Sequence, residues 1–480
     1  MSKHLEFAMF RSHWIVFVLC FGSIASGQAN PEHEKMKAEA ETAYQQADFA
    51  KCKELTSKVL AQNPKDHAAM YLRASSRVEL GVVKRDVAEL REGIQDARES
   101  LKIGGSSEVN YYLPYLYGMI ALANMEDKKE HANVAVDVAT KNVLNRTNLK
   151  PEQRANVLYQ RAAAYIHLKN LNSAIEDYQA AIEAFPGHLG SHVGLAEAYV
   201  VSGQADKALQ AFSAAVETFP ENHLVYNNRG LFLQQQGKSQ EALADFNKAL
   251  ELDKNFAVAY TNRGYTYQAA GNLADAEKDF TRAITIEPNN PLFTSLRGTC
   301  RLSLGNTTGA IEDYTKAIQL APQNPVAHAD LGFAKFFSKN YAGAVEAFDE
   351  AIQIDPRAMR YLNPWLLWSL VLSGKPDTVG QIAKESEDKA EKERDWIDAL
   401  VLFLSGKLSE QQLVNFVSTT TDAKMKNAQL CEAYFFIAER RSQANDKTNA
   451  TAFYKQVIQT KATQLSAYRG AQYVLQSFGK

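Results

Sequence analysis

At 480 residues the chain exceeds one ordinary compact core, so several domains or an array of repeats are expected. Its 46% apolar and 22% charged residues, with only 13 prolines, describe a folded protein and exclude a disordered one. Fifty-three basic residues stand against 55 acidic ones without a dense Lys/Arg run, which argues against nucleic acid as a partner.

Residues 1–29 have the order of a secretory signal peptide. Lys3 and Arg11 supply positive charge, Trp14 to Phe21 form an apolar block, and small residues run from Ser23 to Ala29. Cleavage is expected after Ala29, with Gly27 as the alternative. The block is too short for an ordinary membrane span, so no integral span is expected once the signal is removed. Cys20 follows Leu19, which is larger than the residue that normally precedes a lipidated cysteine. The mature chain keeps Cys52, Cys300 and Cys431, too few and too scattered for a disulfide framework or a zinc site.

Residues 30–150 read as degenerate helical hairpins at 36–64, 67–103 and 111–144, with a Gly/Ser loop at 104–107. The second hairpin has a lengthened second helix. Residues 148–152 interrupt the pattern before a regular block begins.

From 155 to 358 the chain repeats six times with a period of 34, the units starting at Ala155, Leu189, His223, Ala257, Pro291 and Pro325. Position 8 of each unit is Ala or Gly: Ala162, Ala196, Gly230, Gly264, Gly298 and Gly332. Position 20 is always Ala (Ala174 to Ala344), and so is position 27 (Ala181 to Ala351). Position 24 is always aromatic: Tyr178, Phe212, Phe246, Phe280, Tyr314 and Phe348. Position 32 is Pro except at Lys254. Small residues let two helices approach closely and the aromatic fills the space between them. Gly203, Gly237, Gly271 and Gly305 mark the turn between the helices, and Pro stops the second one.

These positions resemble the tetratricopeptide repeat (TPR). The resemblance implies an all-α fold, a right-handed superhelical solenoid of helix-turn-helix repeats with a C-terminal capping helix. It also implies binding of other proteins or peptides, with the first helices lining a concave groove.

Positions 7 and 23 vary together. Arg161, Arg229, Arg263 and Arg297 occur with Asp177, Asp245, Asp279 and Asp313, whereas Leu195 and Leu331 occur with Ala211 and Ala347. This predicts a structural ion pair between the two helices of one unit, setting register more than adding stability.

Residues 359–394 read as one degenerate repeat, and 395–480 as a TPR-like cap. Within the cap, Ser409 is a helix N-cap, Ala450 and Tyr454 fall at positions 20 and 24, and a closing helix starts near Ser466. The tryptophan segment at 395–400, the run Leu404 to Glu410 and the stretch Glu432 to Phe436 resemble the NlpI-type TPR lipoproteins of bacterial envelopes. That resemblance implies a periplasmic adaptor serving a protease or cell-wall hydrolase, in a family that often forms homodimers. Cys20 lacks the lipidation context of that family, and this chain has more repeats.

The expected groove residues are Asn227, Asn228, Gln235, Thr261, Asn262 and Tyr265, with Phe333 and Phe337 as an apolar end. An amide offers donor and acceptor together, so it reads a peptide backbone without demanding one side chain. The carboxylate clamp of chaperone-binding TPRs is missing: its places hold Asn227, Leu231, Asn262, Leu292 and Leu296, and only Asn262 fits. No phosphate loop, nucleophile elbow or paired metal-binding histidines occur; His188, His192 and His223 read as structural. An exported scaffold without catalytic residues, cofactor or metal is therefore expected.

Overall fold

The computed structural model describes residues 31–104, 109–375, 379–463 and 465–478. The signal segment at 1–29 and most of the loop at 104–107 lie outside them. The described residues hold 25 α-helices and no strand. Two compact units divide the chain at Lys238 and Ser239.

In the first unit, hairpins pair α1 (Pro31–Gln45) with α2 (Phe49–Gln62), α3 (His67–Lys84) with α4 (Val87–Ile103), and α5 (Tyr112–Glu126) with α6 (Lys129–Val138). Then α7 (Pro151–His167) pairs with α8 (Leu171–Ala184) and α9 (Leu189–Val201) with α10 (Ala205–Thr218), and α11 (His223–Gln235) closes the unit. Asp48, Asp66 and Asp86 cap α2, α3 and α4 by accepting from backbone N–H groups of the first turn.

The second unit opens with α12 (Ser239–Leu252), followed by the hairpins α13 (Ala257–Ala269) with α14 (Leu273–Ile286), α15 (Pro291–Ser303) with α16 (Thr307–Leu320), and α17 (Pro325–Phe337) with α18 (Tyr341–Ile354). Seven further helices complete it: α19 (Asn363–Leu372), α20 (Val379–Glu387), α21 (Trp396–Leu404), α22 (Glu410–Ser418), α23 (Ala423–Gln443), α24 (Lys447–Gln459) and α25 (Ser466–Phe478). Ser409 caps α22, and α23 with α24 forms a last hairpin in which Ala450 and Tyr454 are buried.

The repeat positions act as their chemistry requires. All six Ala residues at position 20 are fully buried. A Cβ on Gly264, Gly298 or Gly332 would meet the position-24 ring of its own hairpin at 2.8, 3.0 or 2.5 Å, so the rings occupy the space a larger side chain would need. Gly203, Gly237, Gly271 and Gly305 turn the chain with φ between +73° and +82°. Lys169 and Lys339 hold the same turn position at φ +61° and +64°, in the left-handed region that L-residues enter at a cost.

One continuous hydrophobic core runs from Leu302 to Ala471 in the second unit. Trp365 is its hub, with the rings of Phe333, Phe336, Phe435 and Phe436 at 5.0–5.3 Å. The degenerate repeat and the cap are therefore packed on the last regular hairpin as one body.

Candidate binding faces of the two units

In the first unit, α11 places Asn227 and Asn228 on its buried side, 4% and 9% exposed. Asn227 Nδ2 donates to Asn228 Oδ1 at 3.4 Å. Asn228 Nδ2 is buried and has no hydrogen-bond partner among the described residues. A buried donor left in that state costs about 1–3 kcal/mol unless something accepts from it. Gln235, at the end of α11, is exposed.

In the second unit, α13 carries Thr261, Asn262 and Tyr265. Thr261 is buried and its hydroxyl donates to the Ala257 carbonyl at 2.9 Å, so it serves its own helix. Asn262 is half-buried. Tyr265 is 40% exposed with its ring edge on Phe280, and burial of its inner part pushes the phenol up to about 12. Leu292 and Val326, at position 2 of the next two repeats, are 52% and 49% exposed and add apolar surface that sequence reasoning did not single out.

Phe333 and Phe337 correct the expectation of an open apolar end. They are only 4% and 6% exposed, because Trp365 packs against both and the C-terminal helix α25 lies over Phe337. Tyr473 of α25 stands 6.1 Å from the Phe337 ring, and Arg469, Gln472 and Tyr473 line one small pocket with Leu302 and Ser303. A covering helix more than 120 residues away in sequence leaves no local signal near Phe337.

The ion pairs are bidentate. Arg161 holds Asp177 at 2.7 and 2.7 Å, Arg263 holds Asp279 at 2.8 and 2.7 Å, and Arg297 holds Asp313 at 3.0 and 2.7 Å. Arg229 lies in the first unit and Asp245 in the second, and neither lacks a partner. Arg161, Arg263 and Arg297 also reach the preceding hairpin, at Thr140, Asn247 and Thr281 respectively. Arg301 adds a second contact to Asp313 at 3.1 Å.

One such pair escaped the period-34 alignment. Arg73 grips Asp96 at 2.7 and 2.7 Å with Arg77 joining at 2.9 Å, across a sequence separation of 23 where the regular repeats have 16. The seven extra residues are close to two helical turns shared between α3 and α4, so the same faces still meet. Arg73 at position 7 of the unit starting at His67 was the signal available.

The histidines are engaged structurally. His188 caps α9 through Nδ1 and contacts Asn156 at 3.0 Å, and burial followed by neighbouring His192 lowers it to about 4. His192 Nε2 bonds the Pro186 carbonyl at 2.9 Å. Among the described residues no cluster of His, Cys, Asp or Glu has metal-binding geometry, and no helix is long and apolar enough to cross a membrane.

These helix hairpins define an all-α repeat protein, and family models of the tetratricopeptide repeat match residues 153–227, 223–256, 257–290 and 301–337. The chain thus carries tetratricopeptide repeats, and the models that match describe repeats, none of them an enzyme. Among solved structures it is similar to YrrB, a TPR protein with an unusual peptide-binding site, at 20% identity over 38% of this chain and 95% of that one, with a TM-score of 0.33. It is also similar to PilW, a type IV pilus biogenesis factor, at 21% identity over 42% and 94% of the two chains (TM-score 0.38). A thermophilic TPR protein of Thermus thermophilus matches at 20% identity over 38% and 99% (TM-score 0.32). No curated protein matches the sequence.

Proposed function

We propose that this protein is an exported scaffold or adaptor that binds segments of other proteins along the first helices of its repeats. The observation that carries the reading is the exposure of Tyr265, Leu292 and Val326 on three successive first helices of the second unit. Exposed Tyr265, Leu292 and Val326 offer apolar contacts of the kind that anchor a partner side chain. Export rests on the signal-like residues 1–29, and the expected compartment is the periplasm or the exterior of a bacterial cell.

A narrower reading makes the chain a regulatory subunit of an envelope protease, cell-wall hydrolase or transport machine. It rests on the NlpI-type resemblance of the C-terminal segment. There Trp396 Nε1 donates to Glu432 at 2.6 Å, tying together two of the three stretches that carry the resemblance.

The test is a crosslinking pull-down from the native envelope or secreted fraction, comparing wild type with an Asn228→Ala, Asn262→Ala, Tyr265→Ala variant of equal helicity. Partners lost only from the variant place binding on these helices. Partners retained in full overturn that placement and move the site to the outer helices or the C-terminal segment. N-terminal sequencing of the exported protein checks cleavage: a start at Asn30 supports the signal reading, and a start at Met1 overturns it.

A further inference from the structure

Three first-of-pair helices, α1, α3 and α5, lie side by side in the first unit. Tyr44 on α1, Glu79 on α3 and Tyr117 on α5 border one small pocket, floored by Tyr71 and Val78. No lysine or arginine among the described residues lines it. Its free volume of about 10 Å³ holds one water-sized group. Among the described residues the Glu79 carboxyl and the Tyr44 and Tyr117 hydroxyls have no hydrogen-bond or ion-pair partner.

We propose that this pocket binds a primary ammonium, presented by a lysine side chain of a bound polypeptide segment. The proposal rests on the peptide-binding reading above and names one side chain the partner must carry. An ammonium has three N–H donors and no acceptor, and the pocket offers a carboxylate and two phenol oxygens. The tyrosine rings give the aliphatic stem an apolar wall and the charge a π-face. A guanidinium is planar and larger than the space available.

Burial raises the Glu79 carboxyl to about 7, and no cation among the described residues opposes the rise. In the second unit a carboxyl raised by burial does feel a cation of the chain. Burial raises the carboxyl of Asp330 on α17 to about 6, while the charge of Arg469 on α25 opposes the rise. There Arg469 acts on the carboxyl through its charge. Among the described residues none does so at Glu79.

Saturation-transfer-difference NMR on the full mature chain tests the proposal with the peptide Ac-Gly-Ala-Lys-Ala-Gly-NH2. Companion peptides replace Lys by norleucine, either acetylated or with a free N-terminus. Strong signal is expected at the lysine ε-methylene, falling at least tenfold with the acetylated norleucine peptide and with the isosteric Glu79→Gln variant. Tyr117→Phe should weaken it several-fold with circular dichroism unchanged. Equal signal from lysine and acetylated norleucine overturns the pocket while leaving peptide binding intact. Full retention in Glu79→Gln, or no signal from any peptide, also overturns it, and the pull-down then judges the wider reading alone. Signal from the free N-terminus equal to that from lysine supports the ammonium site but overturns lysine as its source.

Discussion

Gly470 lies against the edge of the Phe337 ring, so close that a Cβ there would stand 2.6 Å from Cε1 of Phe337 and 2.8 Å from Cε2 of Phe435. Both rings are buried and hemmed in by Trp365, so neither can move aside. Gly470→Ala should therefore destabilise the second unit by about 1–3 kcal/mol. Hydrogen exchange should show protection falling over 466–478. Gly380→Ala, where nothing lies within 4 Å, is the control and should change little. Unchanged protection in Gly470→Ala would refute the close seating of α25.

Within one hairpin, Arg263 and Asp279 form a pair that the chain replaces elsewhere by Leu and Ala. Asp279→Ala alone strands a partly buried guanidinium and should cost about 3 kcal/mol. The double variant Arg263→Leu, Asp279→Ala copies the pairing at Leu195 and Ala211, and should unfold within about 1 kcal/mol of wild type. Urea denaturation of the four proteins of the cycle gives the coupling directly, and a coupling near zero would make the pair incidental.

Lys339 turns from α17 into α18 at φ +64°, with its N–H bonded to the Phe336 carbonyl at 2.9 Å. Four regular repeats place Gly at this position. Lys339→Gly removes the left-handed strain and should raise stability by about 1 kcal/mol, seen as a higher midpoint in thermal or urea unfolding. A lower midpoint would mean that the lysine side chain contributes more than the strain takes away.

Glu197 on α9 lies near Tyr159 and Tyr178, and burial pushes its carboxyl up to about 8. In the unfolded chain the same carboxyl ionises at its ordinary lower value. The unfolded state therefore loses its proton first as pH rises, and the stability associated with neutral Glu197 is full below about pH 4.5 and lost through pH 8. Glu197→Gln should unfold at a higher temperature than wild type at pH 9 and show no such advantage at pH 4. Parallel melting curves for the two proteins across that range would overturn the assignment.

The regular block was legible because every unit repeats the same local decision. Small residues at positions 8, 20 and 27, an aromatic at 24 and a Gly or Pro stop act within one hairpin, over distances the sequence displays. The Arg–Asp pairs at 161 and 177, 263 and 279, and 297 and 313 could be read for the same reason: covariation 16 residues apart stays inside one hairpin. Arg73 and Asp96 obey the same chemistry but escaped, since seven inserted residues moved them off the period.

By itself, then, the sequence determined the helices, the hairpin pairing, the repeat register and the tight turns, because propensity, capping and periodicity act over a few residues. Only the tertiary structure decided which candidate faces stay open. It buried Phe333 and Phe337 beneath Trp365 and α25, turned Thr261 back onto its own helix, buried Asn227 and Asn228, and gathered Tyr44, Glu79 and Tyr117 from three hairpins around one pocket. Exposure and charge pairing depend on which distant segments come to lie over a residue, and no local pattern near that residue records them.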